Sequence, residues 1–240
     1  MIVFANGDNH TVASNPNETK FYNYDIAWPR WIAENLQADY INIAEPGSGN
    51  EQISRSTIIK VASLIKNVDP KELLVTILWN GWKRYEFWSN DEEKHQSYGL
   101  KFSWKPKKEI LEYVEKRTSL ESDNYIYYKD LFHIYTTAVA LESYGVKYIF
   151  CNANKCMLKP EEFIDSSKLK NEYEELYNLY GDRKNTHIGF HNKEETFQGY
   201  LKDIPTVAAG RYWGVDGHKA YAKFVQKRLD FNQIVPYNRC

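Results

Sequence analysis

Short apolar runs alternate with longer stretches in which apolar residues recur every three or four positions, the pattern of strands separated by amphipathic helices. Ile2 to Ala5 reads as a first strand, and Asn23 to Leu36 as a helix carrying Ile26, Trp31, Ile32 and Leu36, with Pro29 in its first turns where the missing N–H is tolerated. Ile41 to Ala44 is a second strand closed by Pro46-Gly47. From Glu51 the positions Ile53, Ile58, Val61, Ala62, Ile65 and Val68 follow helical spacing until Asp69-Pro70, and Leu73 to Trp79 is a strand apolar enough to be buried on both faces. Pro106 to Lys116 and Tyr127 to Tyr144 predict two further helices, the second stopped by Gly145, and Val146 to Cys151 a fourth strand. Residues 159–202 read as mostly helical and polar, with 172–177 an exposed amphipathic stretch. Ile204 to Ala208 is a candidate last strand, and Tyr221, Phe224, Val225 and Leu229 mark a closing helix. The order predicts an α/β fold: a three-layer α/β/α sandwich around a doubly wound parallel sheet, in a single domain spanning 1–240. Residues 80–105, rich in aromatics but without clear periodicity, are read as an insertion that serves as a lid, as a ligand wall or simply as packing over the sheet.

The first strand runs straight into Asn6-Gly7-Asp8-Asn9-His10-Thr11. Further along come Ile41-Asn42-Ile43-Ala44-Glu45-Pro46-Gly47-Ser48-Gly49-Asn50, then a buried strand ending in Trp79-Asn80-Gly81-Trp82-Lys83-Arg84-Tyr85-Glu86, and finally Gly210-Arg211-Tyr212-Trp213-Gly214-Val215-Asp216-Gly217-His218. These blocks, in this order, resemble those of the SGNH (GDSL-type) hydrolases, in the form met among phage-encoded relatives. The resemblance implies a nucleophilic serine after the first strand, a loop glycine and an asparagine forming an oxyanion hole, and a histidine base before the last helix. Asn9 stands in the serine's place and Tyr212 in the histidine's, while Ala209 stands where an orienting aspartate is usual. Gly49 is the candidate for the loop glycine and Asn80 for the asparagine. A carboxamide is a feeble nucleophile, so the two substitutions together point to a scaffold that no longer runs serine acyl transfer.

Other residues carry alternatives. Asp8 reads as a turn carboxylate binding backbone N–H groups, and His10 either as a base toward water or as polar surface. His218 with Asp216 reads either as a dyad or, preferably, as packing beside a helix capped by Asp216. Arg84 and Glu86 form an ion pair or reach a ligand; an Arg at this place suits an anionic group. Asn50, Trp82 and Arg211 complete the candidate ligand-binding set.

Lys and Arg number 31 against 32 Asp and Glu, without a dense basic run, so a broad nucleic-acid-binding face is not indicated. The 3 cysteines are too few for a disulfide framework and lack zinc spacing, which calls for no metal or cofactor and suits a reducing cytoplasm, the host's if the gene is a phage's. No apolar run approaches membrane-spanning length, and no membrane partner is expected. The 19 tyrosines and 7 tryptophans fit a surface for sugars or other small polar ligands, although codon bias accounts for tyrosine as well. The leading expectation is a hydrolase-like protein that binds a small polar or glycan ligand in a residual crevice. The alternatives are an active esterase using Ser48 or water activated by His10 or His218, and an interaction module docking through the aromatic insertion.

Overall fold

A computed structural model describes residues 1–13, 23–81, 83–89, 94–98, 108–163, 167–202, 204 and 213–228. Five strands form a wholly parallel sheet in the order β2-β1-β3-β6-β7, with β1 at Ile2–Asn6, β2 at Asp39–Asn42, β3 at Leu73–Trp79, β6 at Lys147–Asn152 and β7 at His187–Ile188. β4 (Tyr85–Ser89) and β5 (Lys94–Tyr98) pair antiparallel as a separate hairpin within the aromatic-rich stretch.

Side-chain alternation along the central strands divides the interior into two layers. From β1 and β3, Phe4, Val75, Ile77 and Trp79 enter one layer with α3 (Asn50–Leu64), α5 (Asp123–Ser143) and α6 (Ser167–Tyr180). Val3, Leu74 and Leu78 enter the other, against α2 (Trp28–Asn35), α7 (Phe197–Leu201) and α8 (Val215–Arg228). Both faces of β3 are covered, and all seven of its residues are buried. Trp28 of α2 meets Tyr221 of α8 edge-on, with ring centroids 5.6 Å apart. The remaining helices are the four-residue α1 (Asn9–Val12) and α4 (Lys108–Leu120), whose Val114 packs with Tyr85.

Several elements differ from the sequence reading. The helix expected from Asn23 starts at Trp28, because a 3-10 turn over Tyr24–Ile26 ends in Ala27, whose backbone is extended. β2 lies two residues earlier than expected, in register with Ile2 to Ala5. The edge strand is His187–Ile188, inside the stretch read as helical. Ile204 is in no strand, and 205–208 and Leu229 lie outside the described residues. Within 172–177, Tyr173 is fully buried and stacks on Phe163 at 4.4 Å, so that helix is anchored rather than exposed. No helix among the described residues is long and apolar enough to cross a membrane.

Candidate functional site

In a sheet of this order the chain leaves β1 toward β2 on one side and returns to β3 on the other, which opens a crevice at the carboxyl ends of β1 and β3. The segments after these two strands meet there. Asn6 ends β1 with its side-chain nitrogen 2.8 Å from Thr57 Oγ1 and 2.9 Å from Ser56 Oγ of α3, and its Oδ1 accepts from the Gly7 N–H at 2.8 Å. Gly7 is required by close approach: a Cβ there would lie 2.2 Å from Thr11 Oγ1. The buried Asp8 caps α1, accepting from the His10 N–H at 3.0 Å, as its reading as a turn carboxylate expected.

Asn9 is the first residue of α1, and its Oδ1 accepts the Gly47 N–H at 2.7 Å. A backbone N–H of the 47–50 loop thus meets the Asn9 side chain at Gly47. Gly49 precedes the first turn of α3, with its Cα packed so closely on Arg84 that a Cβ would come within 2.9 Å of the Arg84 Cβ. Asn80 follows β3 and donates from Nδ2 to Ser48 O at 2.8 Å. Asn50 binds the Asn80 backbone at both groups, accepting from its N–H at 2.8 Å and donating to its carbonyl at 2.9 Å. Asn9, the 47–50 loop, Asn50 and Asn80 thus form one continuous polar assembly, largely buried.

His10 is buried, not at the surface. Its Nε2 lies 2.9 Å from the Gln198 side-chain nitrogen and its ring 5.1 Å from Phe197. Burial lowers its pKa, Asp8 opposes the shift, and the nearby Arg84 charge adds to it. His218 Nδ1 accepts the Trp28 N–H at 3.1 Å, satisfying a donor at the start of α2 that nothing in the helix can pair. Burial, reinforced by His10, pushes its pKa down to about 3, so it is a neutral acceptor tying α8 to α2. Asp216 lies exposed in the first turn of α8. Glu86 pairs with Arg55, not Arg84: the Arg55 Nε lies 3.2 Å from Glu86 Oε1, reaching from α3 across to the hairpin. Arg84 packs its Cβ against Gly49, and its charge acts on His10. Trp82, Arg211 and Tyr212 lie outside the described residues.

The sequence reading missed Asp130. It projects from α5, and its Oδ1 accepts from Asn50 Nδ2 at 2.8 Å. Burial raises its pKa to about 6, against the pull of the Asn50 bond and of Lys155 and Lys129. Asn152, at the end of β6, is also part of this end of the sheet, with its Oδ1 3.0 Å from Nε2 of the buried His187. Among the described residues no three His, Cys, Asp or Glu side chains are grouped to hold a metal ion.

The profile of a family of unknown function, DUF6071, matches residues 11–225. The chain belongs to the DUF6071 family. No curated protein matches the DUF6071 chain in sequence. Its fold is that of the SGNH hydrolases: a structure assigned to the G-D-S-L lipolytic family, from Desulfitobacterium hafniense DCB-2, superposes with a TM-score of 0.52 at 13% identity, covering 95% of this chain and 99% of that one. Looser likenesses are TesA, with a TM-score of 0.49, 11% identity and coverage of 95% and 98% of the two chains, and the acetyl xylan esterase AlAXEase, with 0.48, 12% and the same coverage. The likeness shows the fold of this DUF6071 protein; folds host many reactions.

Proposed function

We propose that this protein is a hydrolase scaffold, of the branch met among phages, that has lost serine esterase chemistry and binds a small polar or glycan ligand in its crevice. The observation that carries this reading is the 2.7 Å bond from the Gly47 N–H to Asn9 Oδ1. At the place where the resemblance puts a nucleophile, the chain has a carboxamide, and the oxygen of that carboxamide occupies a loop N–H of the kind that stabilises an oxyanion. The same residue both lacks a nucleophile and consumes a donor. His10 lends no support to a replacement base, because burial and the Arg84 charge lower its pKa and so weaken it as a proton acceptor, and its Nε2 is engaged by Gln198. Tyr212 in place of the base histidine agrees with the loss. The phage assignment rests on the Trp79, Trp82, Arg84 and Glu86 spacing.

The reading is tested with a fluorophosphonate probe, which an activated serine attacks at phosphorus with loss of fluoride. The expected result is no adduct on the unmodified protein and an adduct at position 9 of the Asn9→Ser/Tyr212→His variant. An adduct on Ser48 of the unmodified protein would overturn it.

A further inference from the structure

The stretch between β3 and α5 has an interior of its own. Among the described residues Tyr85 and Val114 are its buried members, with Phe87 and Ile110 packed on them, and this cluster is separate from the two that flank the sheet. The Phe87 and Tyr113 rings meet edge-on at 6.1 Å, so β4 and α4 hold each other. Within α4 only Val114 is buried. A helix with so narrow an apolar seam is held by few apolar contacts, the mark of a segment that opens before the rest of the fold.

The chain enters this unit after Asn80 and leaves it before Asp123, and the two crossings are tied to each other, with Lys83 Nζ 2.6 Å from Asp123 Oδ1. Charged groups join the unit to the body. Arg55 of α3 holds the Glu86 carboxylate of β4, its Nε 3.2 and 3.3 Å from the two oxygens and its Nη2 on Oε1. Glu121, where the unit ends, takes Arg117 of α4 at 3.2 Å and Lys129 of α5 at 3.0 Å. The Glu86 side chain is only 6% exposed, so it depends on its cation: a buried charge stripped of its partner is strongly destabilising. The first residues of the unit lie against the crevice. Arg84 packs on Gly49, and Lys83, Arg84 and Tyr85 line, with Asn50, Lys129 and Asp130, a cleft of about 20 Å³, room for a water molecule or two. Ser48, Asn50 and Asn80, on the crevice side, are all buried. With the wall formed by 83–85 in place, that space admits nothing larger than water.

Resting on the reading of the crevice as a ligand site, we infer that β4, β5 and α4 form a lid that swings as one body about the crossings at 81 and 121–122, is latched shut by the Arg55–Glu86 pair, and in opening admits ligand to Asn50 and the 47–50 loop. Closures of this kind carry a packed segment about a few residues at its ends. The separate apolar cluster keeps the lid intact as it moves, and the ion pair is the bond that opening breaks. Once open, the lid leaves both members of the pair to water, which offsets much of what is lost between them.

Hydrogen exchange read by mass spectrometry on the full-length protein tests the lid. Amides of β4 and α4 should exchange together and faster than those of β1, β3 and β6. Arg55→Met, which leaves the Glu86 carboxylate without this cation, should speed β4 and α4 together by tenfold or more and leave the three sheet strands unchanged. Arg55→Met/Glu86→Met, which removes both charges, should return their exchange toward that of the unmodified protein. Access to the crevice is read on Ser48→Cys with iodoacetamide, followed on the peptide that carries position 48; labelling should be at least tenfold faster when Arg55→Met is added. Exchange that rises in β4 without α4, or in neither, would overturn the inference. An increase shared equally by the sheet strands would also overturn it, because the pair would then be a general structural tie and not a latch. Equal labelling of position 48 in the two backgrounds would do the same, since the unit would open without uncovering the crevice. All of these results leave the fluorophosphonate reading of position 9 untouched, and a fluorophosphonate adduct on Ser48 would remove that reading without bearing on how β4 and α4 exchange.

Discussion

Replacing Asp130 by Asn is expected to stabilise the folded protein at neutral pH. The carboxyl group is held at a pKa of about 6 by burial, against about 3.9 in an unfolded chain. The folded state therefore binds this proton more tightly than the unfolded state does. The contribution of the group to stability is fully present below about pH 4 and is lost as pH rises through 6. A shift of roughly two units at about 1.4 kcal/mol each gives up to about 3 kcal/mol as the cost of ionising Asp130 in the folded protein at pH 7. Solvent reaching this partly exposed side chain reduces that, so about 1–3 kcal/mol is the working range. Asn keeps the shape, can accept from Asn50 through its own oxygen, and removes the charge. Urea denaturation of both proteins at pH 7 and at pH 4 reads the difference; the histidines are common to both and cancel. The variant should be more stable by about 1–3 kcal/mol at pH 7 and equal within error at pH 4. A variant less stable at pH 7 would refute the argument, because it would mean that Lys155 and Lys129 stabilise the carboxylate by more than burial penalises it.

Three other perturbations follow from the same geometry. His187 and His218 have pKa values of about 3, below the roughly 6.5 of an unfolded chain, so their contribution is present above pH 6.5 and lost as pH falls toward 3; His187→Gln and His218→Gln should each flatten the acid limb of a stability–pH curve. At neutral pH, His218→Ala should cost about 2–4 kcal/mol in urea denaturation, because it strands the Trp28 N–H and leaves a cavity beside Phe197. Gly7→Ala should cost at least about 2 kcal/mol through the contact with Thr11 Oγ1, and adding Thr11→Ala should restore part of it in a double-mutant cycle.

What was legible in the chain depended on how far apart the deciding residues lie. Leu73 to Trp79 could be bounded from its own letters, because a strand buried on both faces is apolar throughout and ends where Asn80-Gly81 begins. His187–Ile188 could not, since a two-residue edge strand has no period to detect and its first residue is a histidine. The break before Trp28 arises from an extended Ala27 and from His218, which accepts the Trp28 N–H from 190 residues away. In the site, the turn role of Asp8 was legible because an Asp at a turn bonds its own local backbone. Nothing in the local sequence sets Asp130 apart from other helix carboxylates; what does is its bond with Asn50, 80 residues earlier. The partner of Glu86 was left open in the sequence for the same reason: Arg84 is its neighbour in the chain, but local spacing cannot show that Arg55 reaches it from α3.

The most direct test of the central claim is hydrolysis of 4-nitrophenyl acetate by the unmodified protein beside Asn9→Ser/Tyr212→His. The account predicts no turnover above buffer for the unmodified protein and measurable turnover for the variant, whose serine hydroxyl frees the Gly47 N–H for an oxyanion. Turnover by the unmodified protein that survives Asn9→Ala would contradict it and place a working nucleophile elsewhere in the crevice.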